Sequence, residues 1–369
     1  MYIKSIVISN FKNLRNVKLD FSKNINCITG NNGTGKTNLL DAVYYLSMTK
    51  SYFSSSDRFT YTHGEDQMAL HATYQLDDGT EDKVSIYLKK NGSKQVKRND
   101  KVYARLSEHL GRYPVVMVSP YDTSLINDAA EDRRRFIDMM LSQVDREYLK
   151  RLQTYNHLLY QRNSFLKMPY PTDDLLDTIS EQLAYNAVYI YEKRAELTAR
   201  LQETVREYYS LIATEQEEVS MAYRSDLSKG NLVDLLNASK ERDKFLKYTS
   251  VGIHRDDISF LLSDFPIKGC GSQGQQKSFL IALKMAQYTI MKKMCGVAPI
   301  LLLDDLFDKL DMDRITHLLE IVAGDSFGQI FISDSNKVRT DKLVQTVTDE
   351  HKRFIMDGGE CSECLEKID

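Results

Sequence analysis

Residues 30–37 have the sequence Gly30-Asn31-Asn32-Gly33-Thr34-Gly35-Lys36-Thr37. An apolar segment at 25–29 precedes them, and apolar residues at helical spacing follow over 38–47, so the stretch joins a predicted strand to a predicted helix. In this setting the pattern G-x-x-x-x-G-K-[ST] predicts a phosphate-binding loop, because its N–H groups and the helix dipole favour an anion. We expect all eight residues to bind ATP, with Lys36 reaching the β- and γ-phosphates for catalysis and Thr37 ligating Mg²⁺.

A second element carries two acids, in the sequence Ile300-Leu301-Leu302-Leu303-Asp304-Asp305. Four consecutive apolar residues are typical of a buried parallel strand, and a phosphate-binding loop needs a carboxylate at the end of such a neighbouring strand. We expect Asp304 to be the second Mg²⁺ ligand and Asp305 to orient or polarise the attacking water. The alternative is that both acids cap the following helix.

A third element, Gly271-Ser272-Gln273-Gly274-Gln275-Gln276-Lys277, begins a predicted helix, and its Gly274 lies 30 residues before Asp304. It resembles the Ser-x-Gly-Gln signature of ATP-binding-cassette (ABC) heads, which binds the γ-phosphate held by the other subunit. A hydroxyl, free N–H groups and a helix dipole make an anion site. We therefore expect Ser272, Gly274 and Gln275 to bind ATP across a homodimer interface; the alternative is an N-capped glycine turn.

Composition excludes several classes of protein. The 369 residues are 42% hydrophobic and 27% charged, which argues against disorder and against a disulfide scaffold. No apolar run is long enough to span a bilayer and the N-terminus lacks a signal-peptide pattern, so we expect a cytoplasmic protein without membrane contact. Five scattered cysteines are typical of reduced thiols, and Cys361 and Cys364 lack the further ligands that a zinc site needs.

The periodicity predicts two kinds of domain. Alternating and apolar strands fill the two ends of the chain, whereas helical spacing of apolar residues runs from about 131 to 205 with a break at Pro169 and Pro171. This pattern predicts an α/β fold with an inserted helical arm, and the resemblance to ABC heads implies that the α/β part is an ABC-type P-loop ATPase head with a mixed sheet and a β-subdomain. The expected boundaries are 1–125 and 249–369 for the head and 126–248 for the arm. The acidic tail beyond Asp357 is expected to be frayed.

One segment is strongly basic although the net charge of the chain is only −3. Asn91-Gly92 predicts a hairpin, and the residues from 83 to 105 carry eight basic side chains against one acid. If the hairpin lies on an exposed face of a dimer, it can bind the DNA backbone without reading bases. The alternative is an ordinary solvated face. The candidate DNA-binding residues are Lys89, Lys90, Lys94, Lys97 and Arg98.

Several stretches together resemble the RecF family of bacterial recombination and repair proteins, relatives of SMC and Rad50 heads. The chain lacks the hundreds of coiled-coil residues that SMC and Rad50 insert, since Lys36 and Ser272 are only 236 positions apart. The matching stretches are Asn10-Phe11-Lys12-Asn13-Leu14, the phosphate-binding loop, Ser119-Pro120, Glu131-Asp132-Arg133-Arg134-Arg135-Phe136-Ile137-Asp138, Val251-Gly252-Ile253-His254-Arg255-Asp256-Asp257, the signature, and Asp304-Asp305 followed by Asp308-Lys309-Leu310-Asp311.

The resemblance implies an ATP-dependent dimeric clamp on double-stranded DNA near single-strand gaps. It implies RecO and RecR as partners, assistance in loading RecA, and a D-loop at 308–311 facing the second subunit. Transporter ATPases usually carry Glu where Asp305 stands and a His after the last strand, where this chain has Ser333-Asp334-Ser335. Both departures suggest slow hydrolysis, so the chain is expected to be a weak DNA-dependent ATPase that acts mainly as a nucleotide-switched clamp.

Other interpretations remain open from the residues alone. A monomeric P-loop kinase or NTPase would not use Ser272, a transporter subunit is disfavoured by the missing His, and another SMC-like head acting on DNA ends shares the same ATP chemistry. Lys12 is either near the nucleotide or solvated. His254 and Arg255 lie either near the signature or in a buried polar network, and Arg133 to Arg135 support the arm, contact DNA or form surface ion pairs.

Overall fold

The computed structural model describes residues 1–54, 56–213, 217–305, 317, 321–322, 327–336 and 350–364. The strands are β1 (Tyr2–Phe11), β2 (Leu14–Asp20), β3 (Ile25–Thr29), β4 (Gln67–Gln75), β5 (Glu81–Lys89), β6 (Lys94–Arg98), β7 (Lys101–Val102), β8 (Val115–Val118), β9 (Val219–Arg224), β10 (Asp257–Leu262), β11 (Phe265–Pro266), β12 (Ile300–Asp304), β13 (Ile330–Asp334), β14 (His351–Asp357) and β15 (Glu360–Glu363). The α-helices are α1 (Lys36–Met48), α2 (Ser124–Asn127), α3 (Ala130–Val144), α4 (Arg146–Leu166), α5 (Asp173–Ile212), α6 (Leu232–Leu246), α7 (Ile267–Cys270) and α8 (Gln273–Cys295).

The chain folds into two compact units. The first comprises Met1–Asp122, Leu211–Ala213 and Gln287–Asp369, and the second comprises Thr123–Ser210 and Thr214–Ala286. The second unit takes in residues 249–286, because β10 pairs with β9 and the loop before β10 is bonded to α3 and α5. The head and arm boundaries expected from the sequence, with the arm at 126–248, stay a prediction.

A mixed six-stranded sheet forms the centre of the first unit, in the order β15-β14-β3-β13-β12-β8. From β14 to β8 the neighbours are parallel, and only β15 is antiparallel. Strands β3, β12 and β13 are buried along their whole length, as their apolar runs predict. Since β3 and β12 run in the same direction, their carboxyl ends bring the phosphate-binding loop and Asp304 to one edge of the sheet.

The first unit also contains an antiparallel sheet in the order β2-β1-β4-β5-β6-β7. Burial alternates along β5, so every second side chain faces the apolar core. The predicted hairpin is confirmed: β5 pairs with β6 in the register Leu88↔Lys94 to Val84↔Arg98, and Gly92 takes the positive φ of 84° that its turn requires.

The second unit combines long helices with the three-stranded sheet β11-β10-β9. The first predicted helical stretch is two helices, because Asp145 ends α3 in an extended conformation and caps α4 by accepting a hydrogen bond from Tyr148 N. The second stretch is the single 40-residue helix α5, which begins after Pro169 and Pro171.

The expectation of a frayed tail beyond Asp357 was wrong for residues 358–364, and residues 365–369 lie outside the described residues. β14 and β15 form a hairpin there, with Met356 opposite Cys361, and β14 runs parallel to β3. Phe354 and Met356 are buried, and their alternation with the polar residues of β14 supplies the apolar contacts that hold the hairpin. The composition beyond Asp357 indicated a tail because the apolar residues that hold the hairpin, Phe354 and Met356, lie in the strand before it.

None of the helices in the described part of the chain is both long and apolar enough to cross a membrane.

Candidate nucleotide-binding site

The phosphate-binding loop lies between β3 and α1, as the sequence predicts. Gly30, Gly33 and Gly35 have φ angles of 155°, 80° and 116°, which favour glycine. Thr34 Oγ1 donates to the carbonyl of Asn31 at 2.8 Å, and this bond closes the turn inside the loop. Successive N–H groups at the start of α1 have no helical partner, so the loop is built to accept an anion.

The amino group of Lys36 is held by the loop itself. Its Nζ donates to the carbonyl oxygens of Gly30 at 2.9 Å and of Asn31 at 3.1 Å. The side chain is almost fully buried, with a residue exposure of 4%. Carbonyl oxygens carry only partial charge, so a phosphate oxygen is a stronger partner for the same ammonium.

The loop meets Asp304 directly. Thr37 Oγ1 donates to Asp304 Oδ1 at 2.9 Å, and Ser333 Oγ donates to the same oxygen at 2.7 Å. Burial raises the pKa of Asp304, and the bonds from Ser333 and Thr37 and the charge of Lys36 only partly offset it. A buried carboxylate beside a hydroxyl is an oxygen pair of the kind that Mg²⁺ prefers, so these residues fit the ion that a phosphate-binding loop requires.

A cleft of about 370 Å³ opens in front of the loop. It is lined by residues 32–33 and 35–38, with Pro120 and Asp305. Gly30, Asn31 and Thr34 are not among the residues that line this cleft. Asp305 has a positive φ of 44°, an unusual conformation for a residue with a side chain, and its N–H donates to both the carbonyl and the hydroxyl of Ser333. The D-loop expected at 308–311 lies outside the described residues.

Residues missed by the sequence reasoning complete the surroundings of this cleft. Ser333 stands out in the sequence only as the position of a missing His, but it bonds Asp304 and Asp305. Ser119, at the end of β8, also donates a hydrogen bond that lowers the pKa of Asp304. The sequence could have indicated both serines by their position, because each lies at the carboxyl end of a strand that neighbours β12 in the parallel sheet.

The signature residues form a capping box at the N-terminus of α8. Ser272 Oγ accepts from Gln275 N at 3.2 Å, while Gln275 Oε1 accepts from Ser272 N at 2.6 Å. Ser272 is exposed, and Gln275 Nε2 also bonds the carboxylate of Glu217. The N-capped turn is therefore present. The N–H groups of Gln273 and Gly274 lie in the first turn of the helix, where no helical carbonyl accepts a hydrogen bond from them.

Lys12 is not a solvated lysine, which was one of its two expected settings. Its Nζ lies 2.6 Å from Asp41 Oδ2 and its side chain is 16% exposed. Asp41 is fully buried and also accepts hydrogen bonds from Ser51 Oγ and Tyr52 N. The Lys12 ammonium also lies 5.2 Å from the centre of the Phe53 ring, so Lys12 joins the β1–β2 turn to α1 through a largely buried ion pair.

The stretches 131–138 and 251–257 are bonded to each other in the second unit. Arg133 pairs with Asp257 through two hydrogen bonds of 2.7 and 3.2 Å, and Arg134 donates to the carbonyl of Asp256 at 2.6 Å. Arg135 makes only exposed ion pairs within α3. Two of the three arginines thus support the fold, and the third is the surface case.

Arg194, a residue that the sequence reasoning did not single out, joins the same stretches. Its guanidinium donates twice to Asp138, at 2.9 and 3.0 Å, and also to Asp256 at 3.1 Å. Burial raises the pKa of Asp256, and Tyr223 and Arg194 counteract that shift. A regular apolar stripe on α5 gave no sign of a buried arginine.

His254 belongs to a buried polar network, the second of its two expected settings. Its Nε2 bonds the carbonyl of Thr249 at 3.0 Å, which requires a proton on that nitrogen, so Nδ1 accepts from Tyr155 Oη at 2.8 Å. Burial lowers the pKa of His254 to about 4. Arg255 is exposed and stacks over Tyr248 at 5.8 Å.

The basic hairpin divides its cations between two faces. Lys94 pairs with Asp57 and donates to the carbonyl of Thr49 at 2.7 Å, and Arg98 pairs with Asp82 at 2.9 Å. Both stand opposite buried residues of β5. Lys83, Lys89 and Lys97 lie on the opposite face, where Lys97 stacks over Tyr87 at 5.3 Å.

Two remaining expectations concern Lys90 and the pair Cys361 and Cys364. Lys90 pairs with Asp66 at 3.0 Å, with both side chains mostly exposed. Cys361 and Cys364 belong to no group of potential metal ligands among the residues that the structure describes.

Comparison with known proteins gives one family. The family model described as the RecF/RecN/SMC N terminal domain matches residues 2–353. The chain is 43% identical over 368 residues to the DNA replication and repair protein RecF of Bacteroides fragilis (strain ATCC 25285), with 100% of both chains covered.

Solved structures give the same fold. A structure of the recombination mediator protein RecF with ATP, in the RecFOR pathway, has a TM-score of 0.89 and 28% identity, and the match covers 99% of this chain and 98% of that one. A crystal structure of the Smc head domain from Pyrococcus furiosus has a TM-score of 0.56 and 14% identity, covering 98% and 96%. The predicted α/β fold of an ABC-type ATPase head is confirmed.

Proposed function

The chain belongs to the RecF family of DNA replication and repair proteins, and on that premise we propose that it is an ATP-dependent DNA clamp. Two copies would close on double-stranded DNA near single-strand gaps and, with RecO and RecR, assist the loading of RecA. The solved relative bound to ATP supports the choice of nucleotide. The cytoplasm is the location we expect for this activity.

In this proposal, residues 30–37 bind the triphosphate of ATP. Thr37 and Asp304 hold Mg²⁺, which, when bound, neutralises charge on the β- and γ-phosphates. The ammonium of Lys36 exchanges its two carbonyl partners for phosphate oxygens. Asp305, at the rim of the cleft, orients the attacking water, and an aspartate in place of the usual glutamate is consistent with slow hydrolysis.

The observation that carries dimerisation is the exposed capping box of Ser272. Its first-turn N–H groups and hydroxyl lie at a helix N-terminus and form an anion site. A second copy of the chain supplies the matching anion, the γ-phosphate on its own loop. ATP then becomes part of the interface, so dimer formation depends on nucleotide.

Sedimentation velocity with and without ATP and Mg²⁺ tests this step. We expect wild type to dimerise, Lys36→Ala to lose nucleotide binding, and Ser272→Arg to bind ATP yet stay monomeric. Ser228→Arg is the matched control, because Ser228 is an exposed serine of the same unit that lies outside the signature. A wild type that stays monomeric at saturating ATP, with or without duplex DNA, refutes the clamp and favours a monomeric P-loop kinase or NTPase.

The outer face of the β5–β6 hairpin supports a DNA contact. Lys83, Lys89 and Lys97 share that face, whereas Lys94 and Arg98 are already neutralised by acids. Lysines spaced along a sheet suit phosphate contact and do not read bases. We therefore assign the contact to the outer lysines, with the exposed Lys90 at its edge.

Charge reversal distinguishes this contact from a solvated face. The triple variant Lys83→Glu, Lys89→Glu and Lys97→Glu should weaken duplex binding and reduce the salt slope by about 0.9 for each DNA phosphate that the protein no longer neutralises. The control reverses three exposed lysines elsewhere, Lys167, Lys229 and Lys247, and so changes the net charge equally. Equal affinities and slopes for the two variants would remove the hairpin from the DNA site.

A further inference from the structure

The peptide group between Thr34 and Gly35 is held from outside the phosphate-binding loop. The carbonyl oxygen of Thr34 accepts from the backbone N–H of Gly359 at 3.0 Å and from Asn13 Nδ2 at 3.2 Å. A trans peptide is planar, so its C=O and N–H point in opposite directions. Fixing this carbonyl on the outer side therefore fixes the N–H of Gly35, a residue that lines the cleft.

The amide of Asn13 is itself oriented. Its Oδ1 accepts from Asn38 Nδ2 at 2.7 Å, which leaves Nδ2 facing the Thr34 carbonyl. The same amide packs on the loop, because a Cβ added to Gly35 would meet Asn13 Oδ1 at 2.9 Å. Asn13 lies in the β1–β2 turn and thus connects that turn to the loop and to α1.

The turn between β14 and β15 packs directly against the β1–β2 turn, and the end of β14 packs against the phosphate-binding loop. A Cβ added to Gly359 would lie 2.3 Å from the carbonyl oxygen of Asn13, and a Cβ added to Gly30 would lie 2.4 Å from that of Met356. Real Cβ atoms do not approach backbone oxygen so closely, so each glycine is required by contact as well as by its positive φ.

We propose that Asn13 and the Gly358-Gly359 turn are positioning residues that preset the Thr34–Gly35 peptide for the triphosphate. This inference rests on the proposed ATP binding and goes beyond it, because neither Asn13 nor the Gly358-Gly359 turn is among the residues proposed to contact the nucleotide. Preset donors cost no reorganisation when the anion arrives, whereas a free peptide must be oriented at the moment of binding. Loss of one such donor to a phosphate weakens ATP binding about tenfold.

Gly359→Ala tests the contact, and Gly358→Ala is its matched control. Both glycines have positive φ, 90° and 55°, so both variants carry backbone strain. A Cβ at 358 meets nothing within 4 Å, so only the variant at 359 pushes the turn away from Asn13 and the Thr34 carbonyl. Calorimetric titration with ATP should give a Kd about tenfold higher for Gly359→Ala than for Gly358→Ala.

Two further readouts separate positioning from general destabilisation. The KM for ATP should rise while kcat at saturation is unchanged, and the increase in thermal midpoint on adding ATP should shrink relative to that of Gly358→Ala. Asn13→Ala leaves the glycine turn intact and should also raise the Kd for ATP severalfold. This variant tests the inference even if Gly359→Ala does not fold. Equal Kd values for Asn13→Ala, Gly359→Ala and Gly358→Ala overturn the inference, whereas a wild type that binds no ATP overturns the proposed function instead.

Discussion

The buried ion pair of Arg162 and Asp243 allows a quantitative test of the second unit. Both side chains are fully buried, and Arg162 Nη1 donates to Asp243 Oδ2 at 2.7 Å. Asp243 also accepts from the N–H of Ser250 at 2.9 Å and from its hydroxyl at 2.6 Å, so the pair joins α4 and α6 to the segment that leads to His254.

Removing one partner leaves the other charge buried and unpaired. After Asp243→Leu, the guanidinium of Arg162 retains only its bond to Thr249 Oγ1, because its Nε and Nη2 have no partner among the described residues. We expect each single variant, Asp243→Leu or Arg162→Met, to lower the free energy of unfolding by about 3–5 kcal/mol. The double variant buries no charge and should lose only about 1–3 kcal/mol, the value of the unmade bonds to Ser250.

Urea denaturation followed by circular dichroism at 222 nm measures these values. The chain contains no tryptophan, and the long helices of the second unit supply a strong dichroic signal. The double variant should be more stable than either single variant. Additive losses, with the double variant the least stable, would refute the assignment of a desolvated ion pair.

Three other results are expected. Burial lowers the pKa values of His109 and His254 to about 4, so at pH 5 both histidines are protonated in the unfolded chain and neutral in the folded one. Each histidine should therefore lower the free energy of unfolding by about 2 kcal/mol at pH 5. In urea titrations His254→Gln should lose less stability than wild type between pH 7 and pH 5, and a loss equal to that of wild type would contradict the assignment. Asp305→Asn should keep ATP-dependent dimerisation but slow hydrolysis about 100-fold in a phosphate-release assay, and an unchanged rate would exclude Asp305 as the residue acting on water. Gly30→Ala should abolish ATP binding in calorimetry, because its Cβ would lie 2.4 Å from the Met356 carbonyl oxygen; wild-type affinity would show that the loop can yield there.

Local motifs were the most predictable part of this molecule. The strand–loop–helix around Lys36, the apolar strand ending at Asp304 and the hairpin at Asn91-Gly92 depend on neighbours in sequence. Backbone conformation there follows from glycine freedom, β-strand patterning and helix spacing, all of which a single sequence displays. The closeness of Thr37 and Asp304 followed as well, because both were expected to ligate Mg²⁺ and parallel strands bring their carboxyl ends to one edge of a sheet.

Contacts between distant segments could not be predicted in the same way. The face of a strand depends on its register with its partner, so composition counted Lys94 and Arg98 with Lys97, while pairing put them on opposite faces. Arg194 and Asp243 are buried because acids or arginines from other helices meet them, and no local pattern specifies such partners.

The amino-acid sequence alone predicted the glycine loop before α1, the acidic end of β12 and the Ser272 turn that begins α8, because the backbone conformation of each short run depends on its neighbours in sequence. Only the tertiary structure decided what holds that loop in shape. Ser333 reaches Asp304 from the next strand, and Gly359 reaches Thr34 across 325 positions of chain. The physical reason is that the hydrogen bond from Gly359 to the Thr34 carbonyl forms only when β14 pairs with β3 and so brings Gly359 next to the loop. The close approach also requires that residue 359 has no Cβ.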